Sequence, residues 1–238
     1  MPDNWKIVRL GEITSIIQNG IYKSAENYGY GHAFIRMYNI QNDSHRLNLT
    51  SLARINLNEK ELKTFELQED DVLISRVNSF ELVGKCAWVS KEAAGYVFEN
   101  MLIRLRFKDS IDPLFVSLQI GTQAVRQQIQ GFAKKASGQA SINSSDIQNI
   151  EIILPPLEEQ RRIAAISRKC DRLRRTRRFT QQLSDTYLQS VFLEMFGNPV
   201  TNPKRWKRGR AGEIFEIQLG KMGSMSPFLR EKSNPQNT

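Results

Sequence analysis

The side chains of this 238-residue chain from which catalysis or metal binding could be assembled are few: two histidines, two cysteines, and some carboxylates near lysines. His32 and His45 stand in polar surroundings without a cysteine or carboxylate at the spacing a metal needs, so both read as surface residues. Cys86 falls in a strand-like run and Cys170 on the apolar side of a helical stretch. Two thiols are too few for a disulfide framework or a zinc cluster, and packed thiols are expected. Glu81 and Lys85 stand near Asp70 and Asp71, but not at the acid-x-lysine spacing of a nuclease. No catalytic residue and no metal site are expected.

Two stretches carry cofactor-like patterns that fail on closer reading. Asp112-Pro113-Leu114-Phe115 superficially matches the Asp/Asn-Pro-Pro-aromatic signature of amino-methyltransferases. It lacks the second proline and no glycine-rich loop precedes it, so it reads as the cap and first residue of a helix. Tyr28-Gly29-Tyr30-Gly31 has neither a strand leading in nor a GxGxxG or GxxxxGK frame, and reads as a flexible turn.

The best-marked element is a helix from Pro155 to Gly197. Prolines at its first positions, Glu158 and Glu159 at the positive end of its dipole, and Gly197 with Pro199 at its end fix both limits. Roughly 40 residues at 1.5 Å each give a rod of about 60 Å, longer than a globular core needs. Leu157, Ile163, Ile166, Cys170 and Leu173 recur at helical spacing, and Phe179, Leu183, Tyr187, Leu188, Val191, Phe192 and Met195 resume the stripe. Arg174 to Arg178 interrupt it, so the pattern predicts an imperfect coiled coil with a partner helix. A lone rod would expose a long apolar strip, which soluble proteins rarely do.

Residues 1–154 predict an α+β domain dominated by a mixed, mainly antiparallel sheet. Ala33 to Met37, Asp71 to Arg76, Lys85 to Val89 and Met101 to Phe107 read as strands. Asp112 opens one helix running towards Ile129, with Leu114, Leu118, Val125 and Ile129 inward. Asn143 to Ile147 reads as a single turn and Glu151 to Leu154 as a last strand. The organisation expected is therefore a domain at 1–154, a spacer or dimerisation helix at 155–197, and a remainder at 198–238. No apolar run approaches the roughly 20 residues of a membrane span, and the start lacks a signal-peptide core, so a cytoplasmic protein is expected. The net charge of +9 points to a polyanionic partner. Acidic and basic residues balance in 1–155, so the excess lies in the helix and beyond.

An internal echo bears on the remainder. Trp5-Lys6 and Gly11-Glu12-Ile13 return in register as Trp206-Lys207 and Gly212-Glu213-Ile214, and Gln18-Asn19-Gly20 faces Gln218-Leu219-Gly220 after a one-residue slip. A second copy of the domain opening is expected there.

Ser137-Gly138-Gln139-Ala140-Ser141-Ile142-Asn143, Asp146-Ile147, Ile150 and Ile153-Leu154-Pro155-Pro156-Leu157-Glu158-Glu159-Gln160-Arg161-Arg162-Ile163 resemble a known passage. It is the step from a target-recognition domain into the spacer helix of type I restriction-modification specificity subunits. Trp5, Leu10-Gly11-Glu12-Ile13 and Gly20 resemble the usual domain opening, and Val72 to Arg76 its central strand. The resemblance implies a non-catalytic DNA-recognition subunit. Its partners would be double-stranded DNA, a methyltransferase subunit bringing S-adenosylmethionine, and a motor nuclease subunit bringing ATP and magnesium; no cofactor belongs to this chain. A typical member has two recognition domains and two helices, whereas this sequence has one of each. It therefore looks like a half subunit whose homodimer would read a bipartite palindrome.

Candidate DNA contacts are polar or basic residues in loops containing Gly or Ser: Tyr22, Lys23, Arg36, Asn39, Arg76, Asn78, Ser79, Lys134, Lys135, Ser137 and Gln139. Arg suits guanine and Asn or Gln adenine, whereas Lys and Ser more often hold phosphate. The arginines between Arg161 and Arg178 face either DNA or an acidic groove on the methyltransferase. The rival reading is a non-catalytic protein- or RNA-interaction module with a dimerising helix; a stand-alone endonuclease with an unfamiliar site is a second.

Overall fold

The computed structural model describes residues 4–42, 44–136 and 138–214. The chain divides into two compact units, one up to Arg177 and one from Arg178.

The first unit holds four small sheets. Strand β1 (Lys6–Arg9) leads into a single helical turn, α1 (Leu10–Ile13), and then into β2 (Thr14–Asn19). Next come β3 (Tyr28–Ile35), β4 (Ala53–Ile55), helix α2 (Glu59–Phe65), β5 (Val72–Ser75), β6 (Val77–Asn78), β7 (Cys86–Trp88), β8 (Val97–Phe98) and β9 (Leu102–Phe107). Helices α3 (Pro113–Ile120) and α4 (Gln123–Phe132) precede β10 (Lys134–Ala136), β11 (Gln139–Ser141), α5 (Ser144–Gln148) and β12 (Glu151–Leu154). The long helix α6 (Leu157–Phe196) crosses into the second unit, where α7 (Ala211–Ile214) is the last element described.

The central sheet runs β2-β9-β5-β7, flanked by β4-β3-β8, by β10-β11-β6, and by the pair β1-β12. Pairings are antiparallel apart from β3 with β8 and the isolated bridge Ile21 to Glu99. Strand β5 is buried along its length, with Val72, Leu73 and Ile74 apolar because both its faces are covered. Val72 and Ile74 enter one core with Ile103, Leu105, Phe115 and Ile129, while Leu73 enters another with Ala87, Phe98 and Leu102. Just before β5, Asp71 is fully buried and holds Arg106 through two charge-assisted hydrogen bonds of 2.7 and 2.8 Å.

Several expectations need correction. Asp112 caps its helix as expected, through Phe115 N at 2.9 Å, but the predicted helix to Ile129 is two helices broken at Gly121-Thr122, with the Thr122 side chain capping the second. A broken pair lets α3, apolar nearly all round, sink into the core while the amphipathic α4 covers the surface. Tyr28 to Gly31 are not a loose turn but the bulged start of β3, with Gly29 and Gly31 at φ 100 and 87° and the register slipping between Tyr28 and His32. His45 is not a plain surface residue: its ring lies 3.6 Å from the buried Cys86 thiol. Cys170, expected to be packed, is exposed.

Helix α6 is anchored by its first turns. Gln160 is 1% exposed; its Oε1 accepts from Asp112 N at 2.9 Å and its Nε2 donates to Pro155 O at 2.8 Å. Ala164 is buried beside it. Further along, Arg46 on the loop after β3 pairs with Asp171 at 2.8 Å.

In the second unit the helix closes at Gly197, φ 76°, whose N–H reaches Leu193 O at 2.8 Å. Lys204 and Trp206 donate to the last carbonyls, Met195 O at 2.7 Å and Phe196 O at 2.8 Å. The sequence echo has a local counterpart. Leu10-Gly11-Glu12-Ile13 and Ala211-Gly212-Glu213-Ile214 are both single helical turns, and in each the glutamate carboxylate accepts the N–H three residues earlier, Arg9 at 3.3 Å and Arg210 at 3.4 Å. The rest of the echo, from residue 215 onward, lies outside the described residues.

Candidate nucleic-acid interface

The sheet β6-β11-β10 draws together sequence-distant candidates. Asn78 and Val77 pair with Ala140 and Ser141, and the hairpin sets Lys134, Lys135 and Ala136 against Ser141, Ala140 and Gln139. Lys134, Lys135 and Gln139 are exposed. Lys135 Nζ sits 3.6 Å above the Phe80 ring, which holds the ammonium in place without neutralising it. Ser137 lies outside the described residues. Asn78 is partly occupied: its Oδ1 accepts from Ser79 N at 2.9 Å, and its amide donates to Ser75 Oγ at 3.4 Å.

Arg76 joins this sheet to the core. Its N–H donates to Met101 O at 2.9 Å and its carbonyl accepts Ile142 N at 2.9 Å. Its Nε is buried and has no hydrogen-bond partner among the described residues.

The turn Glu99 to Met101 links Arg76 to the other candidates. Asn100 N donates to Ile21 O at 3.0 Å, beside Tyr22, which is 75% exposed. A close approach there demands Gly20, since a Cβ at that position would lie 2.1 Å from Glu99 O. Glu99 accepts from Arg36 Nε at 3.0 Å and also takes the Met37 N–H. That pairing raises the Arg36 pKa further, and its guanidinium carbon lies 5.4 Å from the Tyr38 ring centre.

Two candidates are spent internally. Asn39 is 2% exposed; its amide donates to Asn48 O and Ser51 O at 3.0 and 3.1 Å, and its Oδ1 accepts Arg36 N at 2.9 Å. It shapes the loop and has no free donor. Lys23 pairs with Glu61 at 2.8 Å and donates to Asn56 O at 3.1 Å, tying the chain after β2 to the start of α2. Sequence reasoning passed over Glu99, whose partner stands 63 residues away, and Phe80, whose only signal was an aromatic beside Asn78-Ser79.

The expected helix seam divides. Ile163 packs against its own domain's core and Leu157 is half-buried, so these two belong to the anchor rather than to an open seam. Within the first unit Ile166, Cys170 and Leu173 are exposed, Leu173 by 70%. Within the second, Phe179, Leu183, Tyr187, Leu188, Phe192 and Met195 are exposed and Val191 is half-buried. Among the described residues no group of three or more His, Cys, Asp or Glu could hold a metal, and no helix is long and apolar enough to cross a membrane.

Comparison with known proteins agrees with this architecture. The family model for the type I restriction modification DNA specificity domain matches residues 2–183. A candidate type I restriction enzyme MjaX specificity subunit from Methanocaldococcus jannaschii is 26% identical over 226 residues, 92% of this chain and 53% of that protein. The type I restriction enzyme EcoKI specificity subunit from Escherichia coli is 26% identical over 171 residues, covering 71% of this chain and 36% of that protein. The chain thus spans about half, or less, of the curated relatives it matches. Among solved structures, the HsdS subunit from Thermoanaerobacter tengcongensis aligns with a TM-score of 0.55 at 20% identity, over 84% of this chain and 51% of that one. A chain from work on complex assembly and conformational transition of the type I R-M system aligns at 0.56 and 20%, over 95% and 58%. With well over half its length matched, the chain belongs to the type I restriction modification DNA specificity domain family.

Proposed function

We propose that this chain is the DNA-recognition component of a type I restriction-modification complex, reading duplex DNA with its first unit. The observation that carries the reading is the exposed Lys134-Lys135 and Gln139 hairpin paired to β6, Val77–Asn78, with Arg76 just before it. Lysines there hold phosphates, while Gln139 and Arg76 offer donors for base edges. Tyr22 and Arg36, joined to Arg76 through the Glu99 turn, extend the contact.

In this reading the chain supplies the address and its partners supply the chemistry. A methyltransferase subunit with S-adenosylmethionine and a restriction subunit with ATP and magnesium are directed to the site, in the cytoplasm. Two copies pair through α6, whose exposed apolar residues support an interface, and present two identical domains to a bipartite palindrome. The domain at 1–154, the spacer helix at 155–197 and a second domain opening after it make up the working organisation.

The test is to co-express the chain with its methyltransferase subunit in a host lacking other methylation and to map modified bases by single-molecule sequencing. A palindromic motif split by a fixed spacer is expected. An asymmetric motif would refute the pairing, and no methylation at all would refute the recognition role.

A further inference from the structure

A groove of about 650 Å³ in the first unit is lined by Arg46, Arg168, Arg172, Arg175, Trp88 and Glu92. Four guanidinium groups meet one lining carboxylate, Glu92, and the Asp171 carboxylate that pairs with Arg46, which leaves the groove net positive. Two of the four are fixed in place. Arg46 is held by Asp171 at 2.8 Å, and both Arg46 and Arg168 lie over the Trp88 ring, 6.0 and 5.7 Å from its centre. The other two have donors to spare: among the described residues the Arg172 and Arg175 side chains make no hydrogen bond or close ion pair, and Arg175 only faces Glu92 at longer range.

We infer that this groove is a second polyanion site that clamps the phosphate backbone of duplex DNA, apart from the hairpin that meets the target; this rests on the DNA-recognition reading. Three features favour phosphates over an acidic protein segment. Guanidinium forks match phosphate oxygens bidentately. Trp88, the aromatic residue of the lining, is already covered by cations, which leaves Leu47 and Leu49 as the apolar lining and no aromatic anchor for a peptide. Arg168, Arg172 and Arg175 stand four and three residues apart on one helix face. At 1.5 Å per residue they span about 10 Å, the reach of about three phosphates of one strand. The exposed apolar residues Ile166, Cys170 and Leu173 each precede one of these arginines by two positions, about 200° round the helix. A partner helix on that side leaves the groove open.

The double variant Arg172→Ala/Arg175→Ala tests the clamp in the full-length chain, with a fluorescent random-sequence duplex as probe and binding measured across a salt series. Both positions are surface sites, and Arg172→Lys/Arg175→Lys controls for charge. The alanine pair is expected to lower the slope of log affinity against log salt by about 1.8, while the lysine pair leaves it near wild type. An unchanged slope overturns the clamp. An unchanged slope together with lost binding to the methyltransferase subunit would reassign the groove to an acidic protein partner. A wild-type chain that binds no duplex at all would instead remove the recognition reading on which the clamp rests.

Discussion

Replacing Gln160 with leucine tests how the long helix is fixed to its domain. Gln160 satisfies two buried groups at once, the Asp112 N–H and the Pro155 carbonyl. Leucine fills nearly the same volume but leaves both unpaired, and each orphaned buried group costs about 1–3 kcal/mol. The loss is therefore about 2–6 kcal/mol, a large share of the about 5–15 kcal/mol that holds an ordinary domain together. With a urea slope of about 2 kcal/mol per molar, the unfolding midpoint should fall by about 1–3 M. Intrinsic tryptophan fluorescence reads it, since Trp88 stacks under Arg168 of the helix. Gln181→Leu, at an exposed position of the same helix, should move the free energy by less than about 0.5 kcal/mol. If the two variants unfold at the same midpoint, the paired hydrogen bonds are not what anchors α6.

Other outcomes follow from the same geometry. Burial holds the His45 imidazole below its ordinary value, with Asp171 opposing and Arg126 adding to the effect. The folded state prefers the neutral ring, so this contribution is whole above about pH 6.5 and is lost as the pH falls through the depressed value; His45→Asn, which tolerates the left-handed φ of 50°, should flatten that acid limb in thermal melts. Burial pushes the Cys86 thiol up to about 12, whereas Cys170 is exposed, so a thiol reagent at neutral pH should modify one cysteine in the native chain and the second only in denaturant. Leu188→Asp lies at an exposed helix position and should leave the melting of a monomer within about 0.5 kcal/mol, yet weaken a helix-paired dimer at least tenfold by light scattering or sedimentation. An unaltered dimer would place the pairing surface elsewhere.

The limits of the long helix were legible because local chemistry alone sets them: prolines before the first turn, Gly197 after the last. Strand β12 was legible too, its run of Ile152, Ile153 and Leu154 bounded by Asn149 and Pro155. What the sequence hid depends on contacts far along the chain. Tyr28 to Gly31 look like a turn because two glycines favour one, and only pairing with β4 makes them a strand. Asn39 looks like a reader of bases because asparagine can be one, and nothing local reveals that Asn48 and Ser51 already hold its amide. Lys134, Lys135 and Gln139 were singled out by residue type, as was Asn78, but the pairing of β11 with β6 that brings them together could not have been, since it spans some sixty residues.

The first half of α6 also shows how one helix serves two masters. Gln160, Ile163, Ala164 and Asp171 face the domain, while Ile166, Cys170 and Leu173 face away from it. A seam read from apolar spacing alone merges the two sets, because Leu157 and Ile163 fall close to the period of the exposed stripe. The polar residues turned inward separate them: the buried Gln160 and the half-buried Asp171 are costly to desolvate unless each has a partner, and both do. Those two residues fix the rotation of the helix on the domain, and that rotation in turn decides which of its apolar side chains are left for another molecule.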